Sequence, residues 1–165
     1  MSASATPAIA LVRAEAVAHE VHAYEVPAAH GRARDARPDY GLEAAAALGV
    51  DPARVGKTLV VLVDGRPAVA VVPVDRQLDL KRFAAALDGR RAELAEPGVA
   101  ERAAGSVVGG ISPLGMRRPL PTVIDASVLE HRTVHVSAGR RGLQLELAPA
   151  DLVRLCAATI APIAR

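Results

Sequence analysis

Tryptophan is absent from this 165-residue chain, and one phenylalanine and two tyrosines are its only aromatic residues, 2% of the sequence. Its core must therefore be built from Ala, Val, Leu and Ile within a hydrophobic content of 51%. Three rings cannot form the platform on which single-stranded nucleic acids stack successive bases. The single cysteine, Cys156, excludes an internal disulfide and fits a reducing compartment. No apolar run approaches the ~18 residues of a membrane span, and Met1–Thr6 lacks the positive charge of a signal peptide. These absences predict a soluble, cytoplasmic protein with no membrane partner.

Charge is nearly balanced. Lys and Arg number 20 against 18 Asp and Glu, a net charge of +2 with a pI near 9.1, which argues only mildly for a polyanionic partner. The arrangement is more informative, because arginines come as doublets beside turn signals: Arg90-Arg91, Arg117-Arg118 and Arg140-Arg141. The length suits one domain, residues 1–165.

Thr6-Pro7 reads as an N-cap followed by proline at the first helical position, with Ile9, Val12, Ala16 and Val17 as the packing face. Val21 to Val26 reads as a strand that carries His22 and Tyr24 on one face. Pro27 to Asp39 is a long loop of Pro, Gly, Ala and charge, including His30, Arg32, Arg34 and Arg37. A helix from Tyr40 to Leu48 stops at Gly49. Lys57–Val63 and Ala68–Val74 flank the turn Asp64-Gly65 and predict a hairpin buried on both faces. Leu80, Phe83, Ala84 and Leu87 define one face of a helix stopped by Gly89, and Glu96-Pro97 opens another that ends near Gly105. Strands are predicted near 122–125, 133–137 and 143–147, with a turn at 139–142, and Pro149 opens a last helix. The fold class is α+β, a curled, mixed but largely antiparallel sheet of about six or more strands with flanking helices.

Gly105–Met116 packs four glycines, a proline and two serines, Ser106 and Ser112, into twelve positions between a helix and a strand, which marks a shaped loop that lets another molecule approach the main chain. Gly56-Lys57-Thr58 is not a phosphate-binding P-loop, because Asp51 stands where that motif needs glycine and the lysine begins a strand rather than a helix. A lysine at a strand end can still hold a phosphate as a point charge. The five histidines, 19, 22, 30, 131 and 135, are not spaced with acidic residues or Cys156 as a metal motif requires, so neither metal nor cofactor is expected. Cys156 shares helical spacing with Leu152, Leu155 and Thr159, which favours a core residue over a nucleophile. No serine sits in a Gly-x-Ser-x-Gly elbow. An enzyme built from these residues would work on a reactive bond by positioning and by main-chain stabilisation of an oxyanion.

Seven segments in order, Thr6-Pro-Ala, His22-Ala-Tyr24, Lys57-Thr58-Leu59, Gln77-Leu-Asp79-Leu-Lys81, Gly109-Gly-Ile-Ser-Pro113-Leu-Gly115, Leu120-Pro-Thr122-Val-Ile-Asp125 and Val136-Ser137-Ala-Gly139-Arg-Arg-Gly142-Leu143, resemble the YbaK family. These are free-standing aminoacyl-tRNA deacylases related to the editing domain of bacterial prolyl-tRNA synthetase. The resemblance implies trans-editing of Cys-tRNA(Pro), with the tRNA(Pro) acceptor end as partner and prolyl-tRNA synthetase as a docking platform. Deacylation of Ala-tRNA(Pro) or another small aminoacyl-tRNA, and a catalytically weak binding module, stay open as alternatives. By motif, Lys57 would contact the tRNA 3′ end, and Gly109 and Gly110 would let the ester approach main-chain N–H groups. Tyr24, Tyr40, Thr58, Ile111, Ser112, Pro113, Ser137, Gly139 and Gln144 would bind substrate. The resemblance also implies that the substrate's own thiol is the nucleophile. Two features depart from the family: Gln144 stands where Asp is common, and the loop before Tyr40 is longer, its arginines expected to touch the acceptor stem.

Overall fold

The computed structural model describes residues 6–26 and 39–165, so the expected acceptor-stem contact of Arg32, Arg34 and Arg37 lies outside the described residues. Helix α1, Pro7–Ala14, begins where Thr6 Oγ1 accepts the Ile9 N–H at 3.2 Å and buries Ile9 and Val12. Ala16 falls outside it, exposed in the turn that follows at φ 54°. Strand β1, His19–Ala23, starts earlier than the sequence suggests and ends before Tyr24. Tyr24 still donates its N–H to Gly142 O at 2.9 Å, which ties it to the sheet. Helix α2, Tyr40–Leu48, is capped by Asp39, whose carboxylate accepts the Leu42 N–H at 3.0 Å, and closes at Gly49.

Strands β2, Gly56–Val63, and β3, Arg66–Pro73, form the expected hairpin. Asp64 and Gly65 both take positive φ, 50° and 80°, the twist that a two-residue hairpin requires. Asp64 also organises the next segment, since its carboxylate accepts the Arg90 and Arg91 N–H groups. That anchor leads into β4, Ala92–Leu94, a strand of three residues, too short for its sequence pattern to announce it. Helix α3, Leu80–Ala86, lies between, and buries Phe83. Its left-handed stop falls at Asp88, φ 56°, rather than Gly89. Gly89 is needed for space instead, because a Cβ there would meet Val63 Cγ1 at 2.3 Å.

Helix α4, Pro97–Ala104, precedes the glycine-rich loop, and β5, Thr122–Asp125, follows it. Then come β6, Val134–Ser137, β7, Leu143–Leu147, helix α5, Pro149–Cys156, and β8, Thr159–Ala161. The described residues thus hold five α-helices and eight strands in two sheets. One sheet, ordered β1-β7-β6, is antiparallel throughout. The other, β4-β2-β3-β5-β8, is antiparallel across β4, β2 and β3 and parallel across β5 and β8. A parallel bridge between Val55 and His135 joins them just before β2.

Leu143, Leu145, Leu147, Val134 and Val136 turn one face of the antiparallel sheet into the main core, against Ile9, Val12, Ile124 and Leu152. The alternate positions, His22, Gln144, Glu146, His135 and Ser137, give the opposite face its polar character. Burial along the hairpin is unequal. β3 is buried from Ala68 to Pro73, but β2 is only half-buried from Gly56 to Leu59. The expectation of two buried faces fails at that end, and a pocket opens there.

Candidate active site

The pocket, about 380 Å³, is walled by the first half of β2, the N-terminus of α2, the glycine-rich loop and the segment from β4 into α4. Tyr24, Ser137 and Gln144 close it from the polar face of the antiparallel sheet. Two small clusters fix the walls. Val60, Ala100, Ala104 and Ile111 pack α4 and the loop against β2, and Ala45, Val55 and Val74 seat α2. The lining divides into an apolar end, with Leu59, Val60, Leu94, Ala100 and Ile111, and a polar end, with Lys57, Thr58, Tyr24, Tyr40, Ser137 and Gln144.

The polar end is under-satisfied. Thr58 Oγ1 and Gln144 Oε1 are buried without a hydrogen-bonding partner, and Gln144 is only 7% exposed. Buried polar atoms in a folded protein are normally paired, so orphans lining a cavity mark places for a ligand's polar groups. Lys57 has no carboxylate within ion-pair distance among the described residues. Tyr40 is held from behind, with the Arg141 guanidinium 4.4 Å from its ring centroid and 3.7 Å from Glu43.

Of the residues predicted from sequence, Lys57, Thr58, Tyr24, Tyr40, Gly109, Ile111, Ser137 and Gln144 meet at this pocket. Gly110, Ser112, Pro113 and Gly139 do not line it. Gly110 is buried against the β6–β7 turn, where a Cβ would meet Arg140 Cα at 2.6 Å, and its N–H is taken by Val107 O at 2.9 Å. The Gly110 N–H is thus engaged within the loop, whereas those of Gly109 and Ile111 have no backbone acceptor among the described residues. Ser112 Oγ accepts the Leu114 N–H at 3.2 Å, and Pro113 O accepts the Cys156 thiol at 3.4 Å. Gly139 donates its N–H to Ser137 Oγ at 3.1 Å and so orients that hydroxyl. Cys156 is a packing residue, its thiol pushed up to about 12 by burial. Sequence reasoning missed Asp39, Gly41 and Gly56 at the rim and the apolar end, since Leu94, Pro97 and Val108 carry no local signal for a site.

Beside the pocket, on the same polar face, a second group converges that sequence spacing did not reveal. His22 Nε2 lies 2.8 Å and His135 Nε2 3.7 Å from Glu146 Oε1, while Arg54 donates to Glu146 Oε2 at 3.3 Å. The Thr133 hydroxyl, which donates to the same carboxylate, is the chief reason that Glu146 falls to about 2, with His22 and His135 adding to it. Burial holds His135 below the usual imidazole range, helped by His22 and Arg54 and opposed by Glu146.

The family model of the aminoacyl-tRNA editing domain matches residues 39–155. The chain is 38% identical over 112 residues to EbsC of Enterococcus faecalis, described as a candidate Cys-tRNA(Pro)/Cys-tRNA(Cys) deacylase; the match covers 67% of this chain and 68% of that protein. It is 31% identical over 135 residues to a proline–tRNA ligase of Solidesulfovibrio magneticus, covering 72% of this chain but only 24% of the ligase. Among solved structures, a candidate trans-editing enzyme for prolyl tRNA synthetase superposes with a TM-score of 0.80 at 23% identity, over 100% of this chain and 99% of that one. A hypothetical protein, APE2540, superposes with a TM-score of 0.83 at 26% identity, over 96% and 99%. The α+β architecture of one antiparallel and one mixed sheet with flanking helices is thus one already seen in experimental structures. No described helix is long and apolar enough to cross a membrane.

Proposed function

This chain belongs to the aminoacyl-tRNA editing domain family, and on that premise we propose that it removes cysteine from mischarged tRNA(Pro) by using the substrate's own thiol. The observation that carries this reading is a pocket equipped to hold an ester but not to attack it. Among the described residues its lining contains Lys57, unpaired oxygens on Thr58 and Gln144, and main-chain N–H groups without a partner at Gly109 and Ile111, yet no cysteine or histidine.

Lys57 binds the terminal phosphate or ribose as a point charge. Gln144 Oε1 accepts from the aminoacyl ammonium, and Thr58 Oγ1 from the same group or donates to the ester. With the ester fixed, the cysteine sulfur attacks its carbonyl carbon within one molecule, where effective molarity is high. The N–H groups of Gly109 and Ile111 stabilise the oxyanion. The S–C bond forms, the C–O bond to the tRNA 3′ oxygen breaks, and the thiol proton ends on that oxygen. A four-membered thiolactone leaves, and water opens it to free cysteine. The apolar end of the pocket accepts the substrate's β-carbon and sulfur.

That apolar end would also accept the methyl of alanine, which makes Ala-tRNA(Pro) the second reading. The decisive comparison is deacylation of tRNA(Pro) carrying Cys, Ala, Ser or Pro, by the native protein and by Lys57→Ala. Thiol attack predicts clearance of Cys and sparing of Ser, with clearance falling at least about a hundredfold in Lys57→Ala. Equal clearance of Ser-tRNA would overturn substrate-thiol attack, clearance of Ala alone would select the second reading, and binding without clearance would leave a tRNA-binding module.

A further inference from the structure

The cluster of His22, His135 and Glu146 lies outside the pocket lining and is not used by the editing steps proposed above. Its three side chains come from three different strands, and the pairing of β1 and β6 on either side of β7 brings them together. One imidazole or carboxylate atom from each lies within 4.8 Å of the others. His135 is the member that a structural role explains least. It is 3% exposed, its Nδ1 has no hydrogen-bonding partner, and its Nε2 stands too far from Glu146 Oε1 for a hydrogen bond, at 3.7 Å. Its Nε2, which faces Glu146 without a hydrogen bond to it, is therefore the ring atom available to a ligand.

We propose that His22, His135 and Glu146 form a binding site for one divalent transition-metal ion of the zinc type, held by the two imidazoles and Glu146 Oε1. Two imidazoles and a carboxylate are a donor set that zinc accepts with a fourth position for water or another ligand. Tetrahedral bonds of 2.0–2.1 Å place ligand atoms about 3.3 Å apart, and the distances from Oε1 to the two Nε2 atoms, 2.8 and 3.7 Å, straddle that separation. Small rotations of the half-buried His22 and Glu146 side chains bring the atoms to it.

The carboxylate is already oriented. Arg54 and Thr133 both engage Oε2, and Arg54 is itself fixed by Thr133 Oγ1 at 2.6 Å and Thr133 O at 3.1 Å. These contacts occupy one oxygen and leave Oε1 facing the imidazoles, as outer hydrogen bonds do at metal sites. They also place a guanidinium near the ion, which lowers its affinity and argues for exchangeable rather than permanent metal. His22, about a third exposed, gives the route in from solvent, and Glu20 Oε2, 3.7 Å from His22 Nε2, stands ready as a fourth ligand. Strands β6 and β7 each carry a pocket residue two positions along the same face, Ser137 and Gln144, so an occupied site braces the pocket wall without entering it.

The test is calorimetric titration of the chelator-treated full chain with Zn²⁺, paired with Co²⁺ titration read by visible absorption. We expect one ion per chain, intense bands of four-coordinate Co²⁺, and a raised melting temperature. His22→Ala, at a half-exposed strand position that should fold, is expected to weaken Zn²⁺ by more than the ten- to hundredfold typical of losing an outer-shell partner and to abolish the Co²⁺ bands. The double variant His19→Ala/His131→Ala, which keeps the cluster intact, should bind as the native protein does. Absence of binding, binding unchanged in His22→Ala, or binding lost in the double variant would each overturn the proposal, whatever the outcome for editing.

Discussion

Thr58 shows at the scale of one residue how function and stability pull apart. Its hydroxyl is buried without a partner, so the unliganded protein bears the cost of an unsatisfied group. Thr58→Val keeps the β-branched shape that suits β2 and removes that cost. We expect it to be as stable as the native protein or about 1 kcal/mol more stable by urea unfolding, while deacylation falls about tenfold or more for loss of a hydrogen bond to substrate. Lower stability together with unchanged deacylation would show that Thr58 is a packing residue. Cys156 makes the opposite case. With its thiol pushed up to about 12 and donated to Pro113 O, it is a poor nucleophile, so Cys156→Ala should retain native deacylation, and pre-treatment of the native protein with a thiol-alkylating agent should leave its deacylation unchanged. Sequence motifs found Lys57, Thr58 and Gln144 because their chemistry is local. They could not separate Ile111, which lines the pocket, from Ser112 and Pro113, which turn away, because that depends on loop conformation.

At the scale of elements, the glycine-rich loop works by close approach. Gly109 takes φ 95° against Tyr40 and Arg141, and Gly110 leaves no room for a side chain beside Arg140. Gly110→Ala forces backbone on one side or the other to move, at a cost of about 1–3 kcal/mol, and the displaced loop should carry Gly109 and Ile111 out of position. Gly105→Ala provides the contrast. Its φ of 75° is unfavourable for alanine by about 1–2 kcal/mol, but no atom lies within 4 Å of the added Cβ. Both variants should melt earlier in thermal unfolding, and only Gly110→Ala should lose most deacylation. Equal activity in the two would mean that the loop's position does not govern the site. The helices were legible because caps are local chemistry, as Thr6, Asp39 and Asp79 each show by accepting an N–H three residues on. β4 and β8 were not, because three-residue strands owe their existence to partners far along the chain. The His22–His135–Glu146 cluster escaped for the same reason: register, not spacing, brings it together.

At the scale of the whole molecule, Asp125 is where distant parts of the chain are fastened. It is 2% exposed at the end of β5, and its Oδ1 accepts the Ile163 and Ala164 N–H groups at 2.8 and 2.9 Å. Its Oδ2 accepts from the Ser127 hydroxyl and amide, and Arg76 stands 3.6 Å away. Burial alone would raise its pKa, but these hydrogen bonds outweigh it and hold the carboxyl below its ordinary value of 3.8. A carboxylate with a depressed folded pKa contributes stability above its unfolded pKa and loses it as pH falls through the folded one. Asp125→Asn should therefore cost about 1.5–3 kcal/mol at pH 7, the range for hydrogen bonds to a charged group. The gap from the native protein should narrow as pH drops below about 3.8, where the native carboxyl gives up its charge. Urea unfolding of both proteins between pH 7 and pH 2.5 measures that gap directly. A gap that stays constant across the range would mean that shape rather than charge at Asp125 joins β5 to residues 163–164, and that acid sensitivity of the fold originates elsewhere.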